Sequence, residues 1–210
     1  MVYKVQTAEE QAALTAEKIF EALKAGNKRF MNNDITARDH SAQVRNSTMG
    51  QYPKAVILSC LDSRVPVEDV FDRGIGDIFV GRVAGNFVNE DLLGSMEFGC
   101  KVAGAKVILV LGHEHCGAVK AAIDDVELGN ITAMLSKIKP AVELVSDFEG
   151  EKTSKNDAFV HAVCESNVKN TINQIRINSP ILKEMEDNGE IKIVGAVYDL
   201  DDAEVAFLDN

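Results

Sequence analysis

Cysteine is scarce in this chain, with four in 210 residues. That is far too few for a disulfide scaffold. No Cys-x-x-Cys occurs, which argues against thioredoxin-like redox chemistry. No apolar run reaches the roughly 18 residues that a membrane span needs. No internal repeat or low-complexity stretch is visible. Gly74-Ile75-Gly76 is followed by neither a third spaced glycine nor a phosphate-loop lysine, so it is not a phosphate cradle. Positive charge is also short. Twenty-two Lys and Arg against 33 Asp and Glu leave a formal net charge of −11. A chain of that sign repels nucleic acid and anionic membrane, and neither is expected as a partner. The substrate should then be small and not steered by strong charge, or the site should be screened from the global field. Residues 1–18 lack the basic-then-apolar pattern of a secretory signal. The expected location is the cytoplasm, with an exported mature form as the alternative.

What is present is ordinary globular material. Hydrophobic residues make up 46% and charged residues 26%, which excludes wholesale disorder. At about 150 residues per domain, the length predicts one domain over 1–210. Within it, 1–50 reads as an N-terminal helical arm and 51–210 as an α/β core. Residues 8–32 carry Ile19, Phe20, Leu23, Phe30 and Met31 at helical steps, with Gly26-Asn27 as a potential break. That apolar stripe has no obvious home on a lone α/β layer. A short helix is expected around 41–47. Four apolar runs follow, at 55–58, 78–80, 107–111 and 191–197, and a final edge strand is expected at 205–208. Runs that are apolar on both faces suit a parallel sheet covered by helices on both sides. Helical patterns at 91–103, 116–125, 131–148, 155–175 and 180–188 supply those helices. The predicted fold is α/β: a central, mostly parallel β-sheet flanked by helices, with an N-terminal helical arm and a C-terminal edge strand.

Ligands of open parallel sheets sit beyond the carboxyl ends of the strands. Two such ends carry unusual residues. The first strand runs into Ser59-Cys60-Leu61-Asp62-Ser63-Arg64, and the third into Gly112-His113-Glu114-His115-Cys116-Gly117. Cysteine and histidine are preferred zinc ligands. His113 and Cys116 stand three apart at a strand-to-helix turn, and Cys60 ends a neighbouring strand. Three ligands with a fourth position held by water or Asp62 is a catalytic arrangement, whereas structural zinc is usually closed by four protein ligands. The bland alternative is two buried cysteines acting as small hydrophobes and a histidine satisfied in a turn. Asp62 and Arg64 have the spacing of a bidentate pair. Taken alone they read as well as a surface ion pair, worth about 0–1 kcal/mol.

Together, Cys60-Leu61-Asp62-Ser63-Arg64-Val65-Pro66, Gly81-Arg82-Val83-Ala84-Gly85-Asn86 and Gly112-His113-Glu114-His115-Cys116-Gly117 resemble the β-class carbonic anhydrases in order and spacing. The resemblance spans roughly residues 15–208, including the segments 25–30 and 195–201. It implies one zinc ion per subunit, held by Cys60, His113 and Cys116, and an Asp62–Arg64 dyad. The implied reaction is reversible hydration of carbon dioxide to bicarbonate and a proton, by attack of a zinc-held hydroxide. Gln51, nine residues before Cys60, matches a bicarbonate donor of one subgroup, and Gly117 offers a backbone donor. Phe79 matches a phenylalanine lining the carbon dioxide pocket. Two positions depart from the family pattern, with Ala84 for a pocket valine and Phe98 for a tyrosine. Both keep the wall apolar, but Phe98 lacks a hydroxyl.

Another subgroup closes its zinc with the aspartate and binds inhibitory bicarbonate through a tryptophan three residues before the first cysteine. Here that position is Ile57, and the chain has no tryptophan at all. With Gln51 present, the open arrangement is expected, Asp62 pairing with Arg64. His115 is not expected to be a ligand. His40 and His161 read as ordinary histidines, and Cys100 and Cys164 as inert core thiols. The resemblance further implies a homodimer or a homotetramer, with the N-terminal helix across the partner and the pocket built at the interface. Two alternatives share these residues: hydrolysis of carbonyl sulfide or carbon disulfide, and a non-catalytic zinc- or bicarbonate-binding protein.

Overall fold

The computed structural model describes residues 1–209. At its centre is a five-stranded sheet of order β2-β1-β3-β4-β5. The strands are β1 (Ala55–Ser59), β2 (Ile78–Arg82), β3 (Val107–His113), β4 (Lys192–Tyr198) and β5 (Val205–Phe207). The first four are parallel, and β5 returns antiparallel along β4. All four apolar runs and the closing edge strand of the sequence are therefore present.

Every residue of β1 and β3 is buried, because helices cover both faces. Alternate residues go to opposite cores, as the two-residue period of a strand requires. Ala55, Ile57, Val107, Leu109 and Leu111 pack with Ile19 and Leu23 of α2 (Ala16–Met31) and with Val67 and Val70 of α4 (Val67–Val70). Val56, Leu58, Ile108 and Val110 pack with Val168, Ile172 and Ile175 of α9 (Asp157–Asn178) and with Leu182 and Met185 of α10 (Pro180–Asp187). A third cluster lies under α6 (Gly117–Ile123), α7 (Gly129–Leu135) and α8 (Lys139–Glu143), and it includes Cys60 and Cys116. Among the described residues, no helix is long and apolar enough to cross a membrane.

The chain leaves β1 for β2 on one side and comes back to β3 on the other. Its connections therefore diverge between β1 and β3, which opens a crevice beyond the carboxyl ends of those two strands. Cys60 and His113 stand at those two ends.

Several expectations are corrected. The helix over 8–32 is two helices, α1 (Ala8–Ala12) and α2, and the break is not at Gly26-Asn27. Thr7 and Glu10 form a capping box on α1, and the Thr15 side chain accepts the Lys18 N–H to start α2 afresh. Gly26 stays helical because its missing side chain is needed there: a Cβ would lie 2.0 Å from the Phe71 carbonyl oxygen. Asn27 donates to the Val70 and Ala203 carbonyls and accepts the Val205 N–H, tying α2 to the sheet edge. The apolar stripe of the arm also has a home on its own chain, since Ile19 and Leu23 are buried against β1 and β3.

The expected helix over 131–148 is α7 and α8, with Pro140 in the first turn of α8, where its lack of an N–H costs nothing. The helix over 91–103 is α5 (Glu90–Glu97), which passes into a π-helical turn at Phe98–Val102. The short helix α3 (His40–Asn46) forms as expected, capped by Asp39.

Candidate metal centre

Cys60, His113 and Cys116 converge, with their ligand atoms within 4.8 Å of one another and all three residues buried. The two sulfurs are 3.9 Å apart. Local structure aims each one. Cys60 is the first residue after β1, and His113 is the last of β3, held in register beside Tyr198 of β4. Cys116 is the N-cap of α6. His115, in a left-handed conformation with φ 51°, turns the chain between the two ligands. Its own ring lies 3.5 Å from the Asp157 carboxylate, outside the triad.

The surroundings of the triad favour a cation. His113 Nδ1 lies 2.8 Å from the Glu114 carbonyl oxygen, which can only accept. The ring proton therefore sits on Nδ1, and Nε2 presents a lone pair. Nε2 is buried and has no hydrogen-bond partner. Cys60 Sγ accepts the Gly85 N–H at 3.3 Å. The Cys116 thiol beside it draws the Cys60 thiol well below the usual thiol range, with help from His113 and Gly85 and against the opposing effect of burial. Cys116, facing the Cys60 thiolate and deeply buried, is pushed up. Two thiolates and an imidazole with a free lone pair fit a borderline-soft ion such as zinc.

Asp62 and Arg64 form the bidentate pair. Arg64 Nε donates to Asp62 Oδ1 at 2.9 Å and Nη2 to Oδ2 at 2.8 Å, and the Arg64 backbone N–H adds a third bond at 2.9 Å. The Arg64 hydrogen bonds hold the Asp62 carboxyl down at about 2, so it is ionised at any physiological pH. Its Oδ2 stands 3.8 Å from His113 Nε2. The carboxylate therefore faces the triad while its guanidinium partner faces solvent.

The proposed pocket residues divide. Gly117 and Ala84 adjoin Cys116 and Gly85 and lie by the triad. Gln51 lies beyond the amino end of β1, in a small cavity with Ile75 and Gly76. Phe79 and Phe98 line an apolar cleft of about 560 Å³ along the β2 edge, with Val56, Leu58 and Leu92. None of the three ligands lines that cleft. Within one chain, then, Gln51, Phe79 and Phe98 do not meet the triad. His40 is exposed at the start of α3, and His161 is engaged by Glu114 and Glu165. Cys100 and Cys164 are buried, and desolvation pushes both thiols up to about 12.

Three supports escape sequence reasoning. Gly85 donates to the Cys60 sulfur, Arg82 donates to the Cys60 carbonyl at 2.9 Å, and Asn167 donates to the Gly85 carbonyl at 2.7 Å. The first two lie in a run already singled out, but their partners are distant in sequence. Nothing in the sequence distinguishes Asn167 from any other helical asparagine.

A carbonic anhydrase family profile matches residues 55–205. Carbonic anhydrase 2 of Mycobacterium tuberculosis is 34% identical over 200 residues, covering 91% of this chain and 92% of that protein. The chain belongs to the β-class carbonic anhydrase family. A carbonic anhydrase of Mycolicibacterium smegmatis is also 34% identical, over 194 residues that cover 89% of this chain and 90% of that one. The fold of this β-carbonic anhydrase matches CafA of Aspergillus fumigatus with a TM-score of 0.72, at 24% identity and 91% coverage of each chain. It also matches one of two tetrameric β-carbonic anhydrases from Sordaria macrospora, with a TM-score of 0.71, 22% identity and coverage of 89% and 91%.

Proposed function

We propose that this protein hydrates carbon dioxide reversibly to bicarbonate and a proton, at a zinc centre held by Cys60, His113 and Cys116. The observation that carries the reading is the buried Cys-His-Cys triad with the Asp62–Arg64 pair facing it. Zinc held there would act as a Lewis acid that makes hydroxide available from water near neutral pH. The residues of the chain do the rest. Asp62, ionised and 3.8 Å from His113 Nε2, accepts the hydrogen of the attacking oxygen and so aims its lone pair. Arg64 keeps Asp62 in that orientation. Its three hydrogen bonds occupy both carboxylate oxygens, which supports the open arrangement, with Asp62 outside the ligand set. A crystal structure at neutral pH with an Asp62 oxygen within bonding distance of zinc would refute that arrangement. Carbon dioxide is neutral and apolar, so the acidic surface does not repel it. The ligand thiols must stay reduced to bind metal, which fits a cytoplasmic location.

Gln51, Phe79, Ala84, Phe98 and Gly117 form the substrate-binding set in this reading. Phe79 and Phe98 line the cleft at the β2 edge and Gln51 a small cavity beyond the amino end of β1, neither of which contains a residue of their own triad. They therefore serve the triad of a second copy in a homodimer, or in a tetramer built from such dimers, and residues 1–210 act as one domain. Sedimentation should give at least twice the 22.8 kDa of one chain, and a single-chain mass would contradict this.

Stopped-flow hydration by zinc-loaded protein tests the activity, with rates well above buffer expected and rising with pH. Sulfide release from carbonyl sulfide with hydration at the buffer rate would reassign the substrate. Neither reaction, with zinc bound, would make this a non-catalytic metalloprotein.

A further inference from the structure

Helix α9 sends three side chains to the two loops that surround the triad. His161 Nδ1 bonds the Glu114 carboxylate, next to His113. The Cys164 thiol donates to the His113 carbonyl at 3.5 Å. Asn167 Nδ2 donates to the Gly85 carbonyl at 2.7 Å. The three stand three residues apart, the step that makes side chains neighbours on a helix.

Asn167 is the one that packing alone does not account for. It is 1% exposed, and its Oδ1 has no partner. Leaving a buried polar group unsatisfied costs about 1–3 kcal/mol. Val163 and Val168, close by on the same helix, show what fills such a place when only packing matters. In return, Asn167 holds Gly85. That glycine has φ +82°, a conformation that residues with a side chain rarely adopt, and a Cβ on it would push into Ile138 Cδ1 at 2.3 Å. Glycine is also the residue with the most backbone freedom, so a bond to its carbonyl narrows the conformations open to this turn. The held N–H donates to Cys60 Sγ at 3.3 Å. The result is an unbroken line from amide to glycine to sulfur.

We propose that Asn167 is a positioning residue of the metal centre: by gripping the Gly85 carbonyl it aims the Gly85 N–H at the Cys60 sulfur and fixes the direction of that ligand. This rests on reading Cys60, His113 and Cys116 as metal ligands. A group bonded directly to a metal ligand, as Gly85 is to Cys60, is worth about 10–100-fold in metal affinity, and Asn167 acts one step further out, through Gly85.

Cobalt(II) is the probe, because its thiolate-to-metal charge-transfer band reports the sulfur ligands directly. In chelator competition, Asn167→Leu, which keeps the bulk and loses the donor, should bind cobalt about 10-fold more weakly than the parent, the low end of what a direct partner of a ligand is worth. Its charge-transfer band should shift. Asn167→Gln keeps an amide N–H and should recover part of both readouts. Asn167→Ser, too short to reach Gly85, replaces the leucine variant if that one does not fold. Ile172→Val trims the sheet-facing core of the same helix, and it should lower the melting temperature without moving affinity or band. An Asn167→Leu protein with the parent's affinity and band would overturn the positioning role alone, as would an Ile172→Val protein weakened equally. A parent chain that binds no cobalt would overturn both the role and the metal centre.

Discussion

Two aspartate–arginine clusters sit on the same fold, one buried around Asp72 and one at the surface around Asp62, and they are finished differently. Asp72, between α4 and β2, has a fully buried side chain in contact with Arg29, Arg38 and Thr36, and every oxygen is spoken for. Burial alone would raise its pKa, but those hydrogen bonds outweigh it and hold the carboxyl well below the usual carboxylate range. Asp62 is held down by one arginine and faces a histidine nitrogen that has no partner. Among the described residues, six buried side-chain polar atoms lack a hydrogen-bond partner. Four of them belong to Ser59, Asn86, His113 and Asn167, which carry, adjoin or brace the ligand loops. Where polar groups are saturated, the cluster holds the fold together. Where they are left short around Cys60, His113 and Cys116, the deficit matches the metal site proposed there.

That contrast can be broken at either cluster. The largest effect is expected at the triad. Cys60→Ser should reduce metal content, measured by elemental analysis, to a small fraction of one ion per chain and bring carbon dioxide hydration to the buffer rate. Next comes Asp72→Asn, which keeps the shape and tolerates the φ of 48° at this position while removing the charge. It should lose about 3–5 kcal/mol in denaturant unfolding, because two arginines lose their carboxylate, with hydration per folded molecule unchanged. The pH dependence follows from linkage. Asp72 has a depressed folded pKa, so its contribution is full above about pH 4, where the unfolded carboxyl is also ionised. It disappears as pH falls through the folded value, and the stability gap between parent and variant should close only in strong acid.

Asp62→Asn should do the reverse of Asp72→Asn, lowering hydration about 10–100-fold with little change in melting temperature or metal content. The smallest effect is expected at His115→Asn. The residue lies between two ligands in sequence but outside the triad. Its replacement, tolerant of positive φ, should change stability by no more than about 0.5 kcal/mol and leave metal binding intact.

The sheet and the triad were legible in the sequence, for reasons visible at particular residues. The runs at β1 and β3 are apolar on both faces because helices cover both, and chemistry placed immediately after such runs lands at the crevice. The break in the arm falls between α1 and α2 rather than at Gly26-Asn27, which reads as a break only locally. Its meaning is tertiary: a close approach to Phe71 and a buried amide joining α2 to the Ala203–Val205 turn. The line from Asn167 through Gly85 to Cys60 was not legible at all. It joins positions 167, 85 and 60, and only the seating of α9 on the sheet brings them together. Gln51, Phe79 and Phe98 show the opposite limit, since their motif positions are clear but their own chain places them away from the triad.

X-ray absorption at the zinc edge of purified protein reads the proposed ligand shell itself. Two sulfur neighbours are expected at about 2.3 Å, with the remaining ligands nitrogen or oxygen at about 2.0–2.1 Å. A shell without sulfur, or protein that holds no zinc after purification in reducing buffer, would contradict it.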